Sequence, residues 1–363
     1  MQRERLLTYS EGDNMTLLKE IFEQPTILER LLTSQRENIE SIARKLQTKE
    51  WHYVFLAGRG TSDNAGRYAQ YLWGSYNRIP IALGTPSLFS IYGQPPLLKG
   101  ALVIGVSQSG QSPDILSVIV EGKRQGRPTL AITNDPASPL AQEADFVIDI
   151  NAGEERAVAA TKSYTAQLMV MAILSNALQK DTSFYAPRLD AMSRVPEWVE
   201  QCLMLDEQID HAVQRYRYMD QCVVLGRGYN YATAFEWSLK LKELCYVSAE
   251  PYSSADFLHG PVAVIERGYP IMAVNPGGAV YESIYNLLAD LQQKRRAEIL
   301  TISDKTEALD QADIPLPLPQ GIPEWLSPIV SIIPAQLVGY HLTQAKGYDT
   351  EAPRGLEKVT KTE

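Results

Sequence analysis

Short apolar runs alternate along this chain with longer stretches of helical period, and the runs end in glycine, serine or asparagine. Val54 to Gly60 reads VFLAGRG, Ala101 to Val106 reads ALVIGV, Leu130 to Asp135 reads LAITND and Asp145 to Ile150 reads DFVIDI. Runs this short and continuous, spaced by helical segments, predict strands of a mainly parallel sheet buried on both faces. The series then recurs in the same order: VVLGRG at 223–228, PIMAV at 270–274, LTISD at 300–304 and DIPLPL at 313–318. Val106 and Val274 stand at the same offset as Asp145 and Asp313, so the second half is a duplicate of the first.

Around the two units the pattern predicts simpler pieces. Positions 17–46 carry apolar residues at helical spacing with Pro25 as a break, which predicts two helices in an N-terminal arm over 1–46. The first α/β domain is expected over 47–185, a linker helix over 186–220, the second domain over 221–345 and a charged tail over 346–363. The apolar stretch at 168–178, interrupted by Ser175 and Asn176, reads as a buried helix and not a membrane span. Pro315, Pro317, Pro319 and Pro323 crowd the last strand, and prolines cannot donate to a sheet ladder, so that strand should be short or at an edge.

Composition narrows the class. With 363 residues, 45% hydrophobic and 21% charged, the chain has the make-up of a globular protein with room for two cores. A net charge of −9 argues against nucleic-acid or anionic-membrane partners, which need a positive footprint. The three cysteines, Cys202, Cys222 and Cys245, lack zinc-type spacing, and the first residues lack an apolar signal region; a reducing cytoplasm is expected. No His/Cys/carboxylate cluster has ligand spacing for a metal, and no cofactor fingerprint is present: GRGTSD lacks the third glycine of a dinucleotide loop.

Two segments carry candidate chemistry. Directly after ALVIGV comes Ser107-Gln108-Ser109-Gly110-Gln111-Ser112-Pro113-Asp114 and then a helical pattern. Ser112 suits the N-cap and Pro113 the first helical position, so backbone N–H groups and the positive helix end face the turn. Such a turn can hold a phosphate, with the hydroxyls of Ser107, Ser109 and Ser112 as neutral donors; the same residues also suit an ordinary capped loop. In the second half, Glu236, Lys240 and Glu243 fall on neighbouring turns of one helix, either as an acid/base group or as a solvated ion pair. Of four histidines, His259 stands out for its turn context in FLHGP, suited to a base on a rigid perch or to simple packing.

Taken together, GRGTS, SQSGQS, AATKSYTAQL, SLKLKELCYVSAEPYSSADFLHGP and the ending GYDTEAPRGLEKVTKTE resemble the tandem sugar-isomerase (SIS) domain family, in particular the isomerase half of glucosamine-6-phosphate synthase. The resemblance covers about residues 20–363 and implies two flavodoxin-like α/β domains, each a five-stranded parallel sheet covered by helices. It implies that Thr61, Ser62, Ser107, Gln108, Ser109 and Ser112 surround a sugar phosphate, and that Val158 and Ala160 touch the sugar through backbone. The family's serine is replaced by alanine at 160. By the same matching, Glu243 is the base that moves a proton between sugar carbons 1 and 2. His259 opens the ring from across a homodimer interface, and Lys240 is a further site lysine. Lys358, in PRGLEK, matches the lysine that forms a Schiff base with the sugar carbonyl, making the tail a lid. With about fifty residues before the first sheet, no glutaminase domain is expected. The implied reaction is then isomerising deamination of glucosamine 6-phosphate, with fructosamine-6-phosphate deglycation, another sugar-phosphate isomerisation and non-catalytic sensing as alternatives.

Overall fold

The computed structural model describes residues 15–179 and 181–358. They divide into two compact units, one with residues 26–155 and 162–194, the other with residues up to 25, 156–161 and 195–356. Each is built on its own all-parallel, five-stranded sheet.

In the first unit the strands are β1 (Tyr53–Ala57), β2 (Ile81–Leu83), β3 (Ala101–Val106), β4 (Thr129–Thr133) and β5 (Phe146–Asp149), in spatial order β2-β1-β3-β4-β5. Val54 pairs with Leu102 and Val103 with Thr129, so β3 is central, and all six of its residues are buried. Val103 packs with Ile115, Val118 and Ile119 of the Pro113–Arg124 helix. That helix approaches closely because Gly122 lies against Val103; a β-carbon there would fall 2.9 Å from Val103 Cγ2. The Lys162–Ala177 helix is buried along nearly its whole length, as its apolar pattern predicts.

The second unit repeats the plan with β6 (Gln221–Gly226), β7 (Ser248–Ser253), β8 (Pro270–Val274), β9 (Glu298–Ser303) and β10 (Ile314–Pro317) in order β10-β9-β8-β6-β7. Read from the other side, this is the order of the first sheet, as duplication requires. Val223, Leu225, Ile271 and Ile299 form its core with Ile284, Leu287, Leu288 and Leu291 of the Tyr281–Arg295 helix. β10 is the expected edge: Ile314 and Leu316 point inward, while Pro315 and Pro317 are exposed where the missing N–H is harmless.

Four stretches depart from the sequence pattern. Among the described residues the N-terminal arm holds three helices, Thr16–Phe22, Gln24–Ser34 and Arg36–Gln47; Pro25 sits in the first turn of the second, where a proline lacks nothing. Positions 186–220 hold no single linker helix but Tyr185–Ser193, Val195–Leu203 and Asp206–Val213, followed by β6. β2 and β7, each an edge strand with one neighbour, lie outside the predicted runs: β2 is only three residues long, and SAEPYS of β7 has no apolar run. Among the described residues no helix is long and apolar enough to cross a membrane.

Candidate functional site

In a sheet of order 2-1-3-4-5 the strand order reverses between β1 and β3, and the crevice at their carboxyl ends is where open α/β sheets bind ligands. Both serine- and threonine-bearing turns lie there. After β1, Gly60 takes a positive φ of 51° and Thr61 opens the Thr61–Tyr76 helix. Ser62 is buried and accepts a hydrogen bond from Gln167 Nε2 at 3.1 Å. After β3, Ser107 N donates to Ile132 O at 3.1 Å, continuing the ladder, and its Oγ accepts from Gly110 N at 3.1 Å. The Gln108 carbonyl accepts from Asn134 N at 3.0 Å, and Ser109 Oγ accepts from Gln111 N at 3.3 Å. Gly110 has φ 62°, and a β-carbon on it would fall 2.1 Å from Ser138 Oγ; only glycine fits this bend.

Ser112 occupies the expected N-cap position, but its hydroxyl makes no cap bond and lies 3.5 Å from Ser107 Oγ instead. The hydroxyls of Ser107 and Ser112 therefore converge at the start of a helix whose first turn is Pro113-Asp114, a geometry suited to an anion. The two turns are joined by an ion pair the sequence does not announce: Arg59 Nε donates to Asp114 Oδ2 at 2.7 Å.

The equivalent loop of the second unit is closed. Asn275 N repeats the bond of Ser107 N, donating to Ile302 O at 2.9 Å. Beyond it, however, Gly277 N donates to Asp304 Oδ1 at 2.5 Å and Ala279 N to Glu324 Oε2 at 2.9 Å. Carboxylates of the chain itself thus hold two N–H groups of the loop before the Tyr281–Arg295 helix, where the first unit has serine hydroxyls.

Glu236, Lys240 and Glu243, the candidate acid/base group of the second unit, lie on the Tyr231–Cys245 helix. Lys240 is 1% exposed, with Nζ 2.6 Å from Glu243 Oε2 and 3.4 Å from Glu236 Oε1. Glu236 is wholly buried whereas the Glu243 side chain keeps 23% of its surface, so the group is not a solvated pair. Burial works against the Lys240 charge, but Glu243 and Glu236 outweigh it and hold the pKa above the ordinary lysine value. The outcome is a fixed ammonium that orients one partly exposed carboxylate. Val158 and Ala160 sit half-buried in a segment pinned by Glu20, whose Oε1 accepts from Arg156 N at 2.5 Å and Ala157 N at 3.3 Å. His259 is exposed on the turn after the Ser254–Phe257 helix, its N–H bonded to Asp256 O at 3.0 Å, with exposed Leu258 and Val264 beside it.

Lys358, the last described residue, is anchored within the first unit: Nζ lies 2.8 Å from Oε2 of Glu155, a carboxylate with no exposed surface. Glu155 also accepts from Ser163 N at 3.0 Å and Ser163 Oγ at 2.8 Å. Arg59, Asp114 and Glu155 are the functional candidates that pattern reading passes over. Their partners are far away in sequence, and Glu155 beside the AATK segment was its only local signal. Among the described residues no cluster could hold a metal ion.

Comparison with known proteins agrees with this architecture. The SIS domain model matches twice, at residues 48–177 and 217–345. The glutamine–fructose-6-phosphate aminotransferase (isomerizing) of Thermococcus kodakarensis is 33% identical over 353 residues, 96% of this chain and 58% of that protein. The chain thus spans somewhat over half the length of such relatives. The C-terminal domain of the glucosamine-fructose-6-phosphate aminotransferase from Francisella tularensis superposes with a TM-score of 0.85 at 27% identity, covering 95% of this chain and all of that one (100%). A glucosamine-6-phosphate deaminase from Thermotoga maritima shares the fold, with a TM-score of 0.76 at 21% identity over 96% of this chain and 100% of that one. Two matched domains and two sheets of one topology lead to one conclusion: the chain belongs to the SIS domain family, as a tandem of two such domains resembling the isomerase portion of these aminotransferases.

Proposed function

We propose that this chain is a sugar-phosphate isomerase of amino sugars acting as a glucosamine-6-phosphate deaminase. The observation that carries the reading is the buried Lys240, which fixes the partly exposed Glu243 carboxylate in a hydrogen-accepting orientation. A carboxylate so held is suited to take the proton from a carbon next to a carbonyl. Thr61, Ser62, Ser107, Gln108, Ser109 and Ser112 would hold the phosphate, and Val158 and Ala160 the sugar through backbone. His259 would open the pyranose ring, contributed by a neighbouring copy; the exposed apolar residues beside it suit a protein interface. Glu243 would then move a proton from carbon 2 to carbon 1, turning the amino aldose into a ketose imine. Water adds to that imine, the C–N bond breaks, and fructose 6-phosphate and ammonia leave. Lys358 would engage the open-chain carbonyl, with Glu155 placed to exchange its proton. This is the chemistry the matched portion can perform with its own residues and water, without ammonia drawn from glutamine.

The test is ammonia release coupled to fructose 6-phosphate formation from glucosamine 6-phosphate, with fructoselysine 6-phosphate as a parallel substrate. Release from the first substrate, reduced about 10²–10⁴-fold by Glu243→Gln while sugar-phosphate binding persists, is the expected result. Turnover of only the second substrate would move the chain to deglycation, and binding without turnover of either would make it a sensor.

A further inference from the structure

Every side chain assigned to the phosphate so far is uncharged, yet a sugar phosphate near neutral pH carries close to two negative charges. The turns after β1 and β3, residues 58–64 and 107–114, contain one cationic residue, Arg59. It stands two positions before Thr61, and its partner Asp114 stands two positions after Ser112. The pair therefore bridges the two turns that flank the switch point. Asp114 is fully buried, with Oδ1 accepting from Ile115 N at 2.9 Å, and it lies in the first helical turn where the helix dipole favours a carboxylate. The Arg59 side chain by contrast keeps 48% of its surface exposed and meets Asp114 through Nε. The face of this pair turned to solvent is thus cationic, and the buried carboxylate acts as its anchor. A second pair, Arg67 Nη2 with Asp63 Oδ2 at 3.0 Å, offsets the remaining acidic residue of the turn.

We propose that Arg59 is a further phosphate-binding residue: anchored by Asp114, its guanidinium supplies the cationic contact that the hydroxyl loop lacks. A pre-set guanidinium fork suits a phosphoryl group because two parallel N–H donors match two of its oxygens, and anchoring through Nε leaves the terminal nitrogens for that contact. The inference rests on the sugar-phosphate reading above and adds to it a residue and a charge.

The experiment is calorimetric titration of the full chain with fructose 6-phosphate and with inorganic phosphate, at fixed ionic strength, for wild type, Arg59→Gln, Arg59→Met and Arg59→Lys. Circular dichroism confirms that each variant is folded; the methionine keeps most of the stem's packing if glutamine does not. Both neutral variants should bind fructose 6-phosphate about 10–100-fold more weakly, the range expected for a lost hydrogen bond to a charged group. Arg59→Lys should fall between them and wild type. In turnover the loss should appear in KM with kcat within a few-fold, whereas a mere strut would lower stability and leave the affinity of folded protein unchanged. Wild-type binding matched by folded neutral variants overturns the Arg59 inference alone. A wild-type chain that binds neither ligand overturns both this inference and the sugar-phosphate reading.

Discussion

Lys240 shows how much depends on depth within a helix. From sequence, Lys240 and Glu243 are one turn apart and indistinguishable from a surface pair worth a few tenths of a kcal/mol. In the folded unit the lysine is 1% exposed and lies between two carboxylates, one of them wholly buried. Lys240→Met should therefore cost about 3–5 kcal/mol, since it leaves Glu236 and Glu243 without the cation between them. Urea unfolding monitored by circular dichroism would measure it, and a midpoint unchanged from wild type would show that the pair is only surface-like. A double replacement, Lys240→Met with Glu236→Gln, should recover part of the loss, because fewer charges are then buried. The residue-scale chemistry was readable as a list of residue types, but its energetic weight was not: burial depends on the Ser327–Ala345 helix, about ninety residues further along the chain, as well as on the flanking strands β6 and β7.

At the scale of elements, the serine loop after β3 and the helix start that follows it were legible because three local rules agree on them: a buried strand, a serine N-cap position and a proline at the first helical turn. What the pattern did not reveal was that the Ser112 hydroxyl leaves its cap to face Ser107, or that Gly110 bends against Ser138. Gly110→Ala should force a positive φ on a residue with a β-carbon and push Ser138 aside. The expected cost is about 1–3 kcal/mol, together with loss of measurable phosphate binding, checked by thermal melting and by titration with inorganic phosphate. An alanine variant with wild-type melting and affinity would mean that the loop tolerates another bend. The strands missed by pattern reading are β2 and β7, both at a sheet edge: β2, IAL, is only three residues long, and β7, SAEPYS, has no apolar run. β10 is the converse case, an edge strand that its own prolines give away.

At the scale of the whole chain, the duplication read from spacing is present as two sheets of one topology. The two copies have diverged where it matters: in the second, Asp304 and Glu324 hold the loop N–H groups, while in the first the serines face one another. If His259 acts from a neighbouring copy as proposed, two inactive variants should rescue each other. Mixing Glu243→Gln with His259→Asn in equal amounts, with subunit exchange, should restore about a quarter of wild-type turnover, because half of the dimers then carry one site with both residues intact. No recovery, with exchange verified by mass spectrometry, would place His259 in its own chain's site. By itself the sequence determined the α/β class, the repeat, the proline-marked edge and the two turns rich in glycine and hydroxyl residues, because periodicity, caps and glycine bends are short-range consequences of side-chain shape and backbone geometry. Only the tertiary structure decided that Arg59 meets Asp114 and that Glu155 receives Lys358, because these contacts join segments brought together by burying separate apolar faces; it also decided that Lys240 and its two carboxylate neighbours on one helix are buried, since no local pattern encodes which charged side chains that burial will enclose.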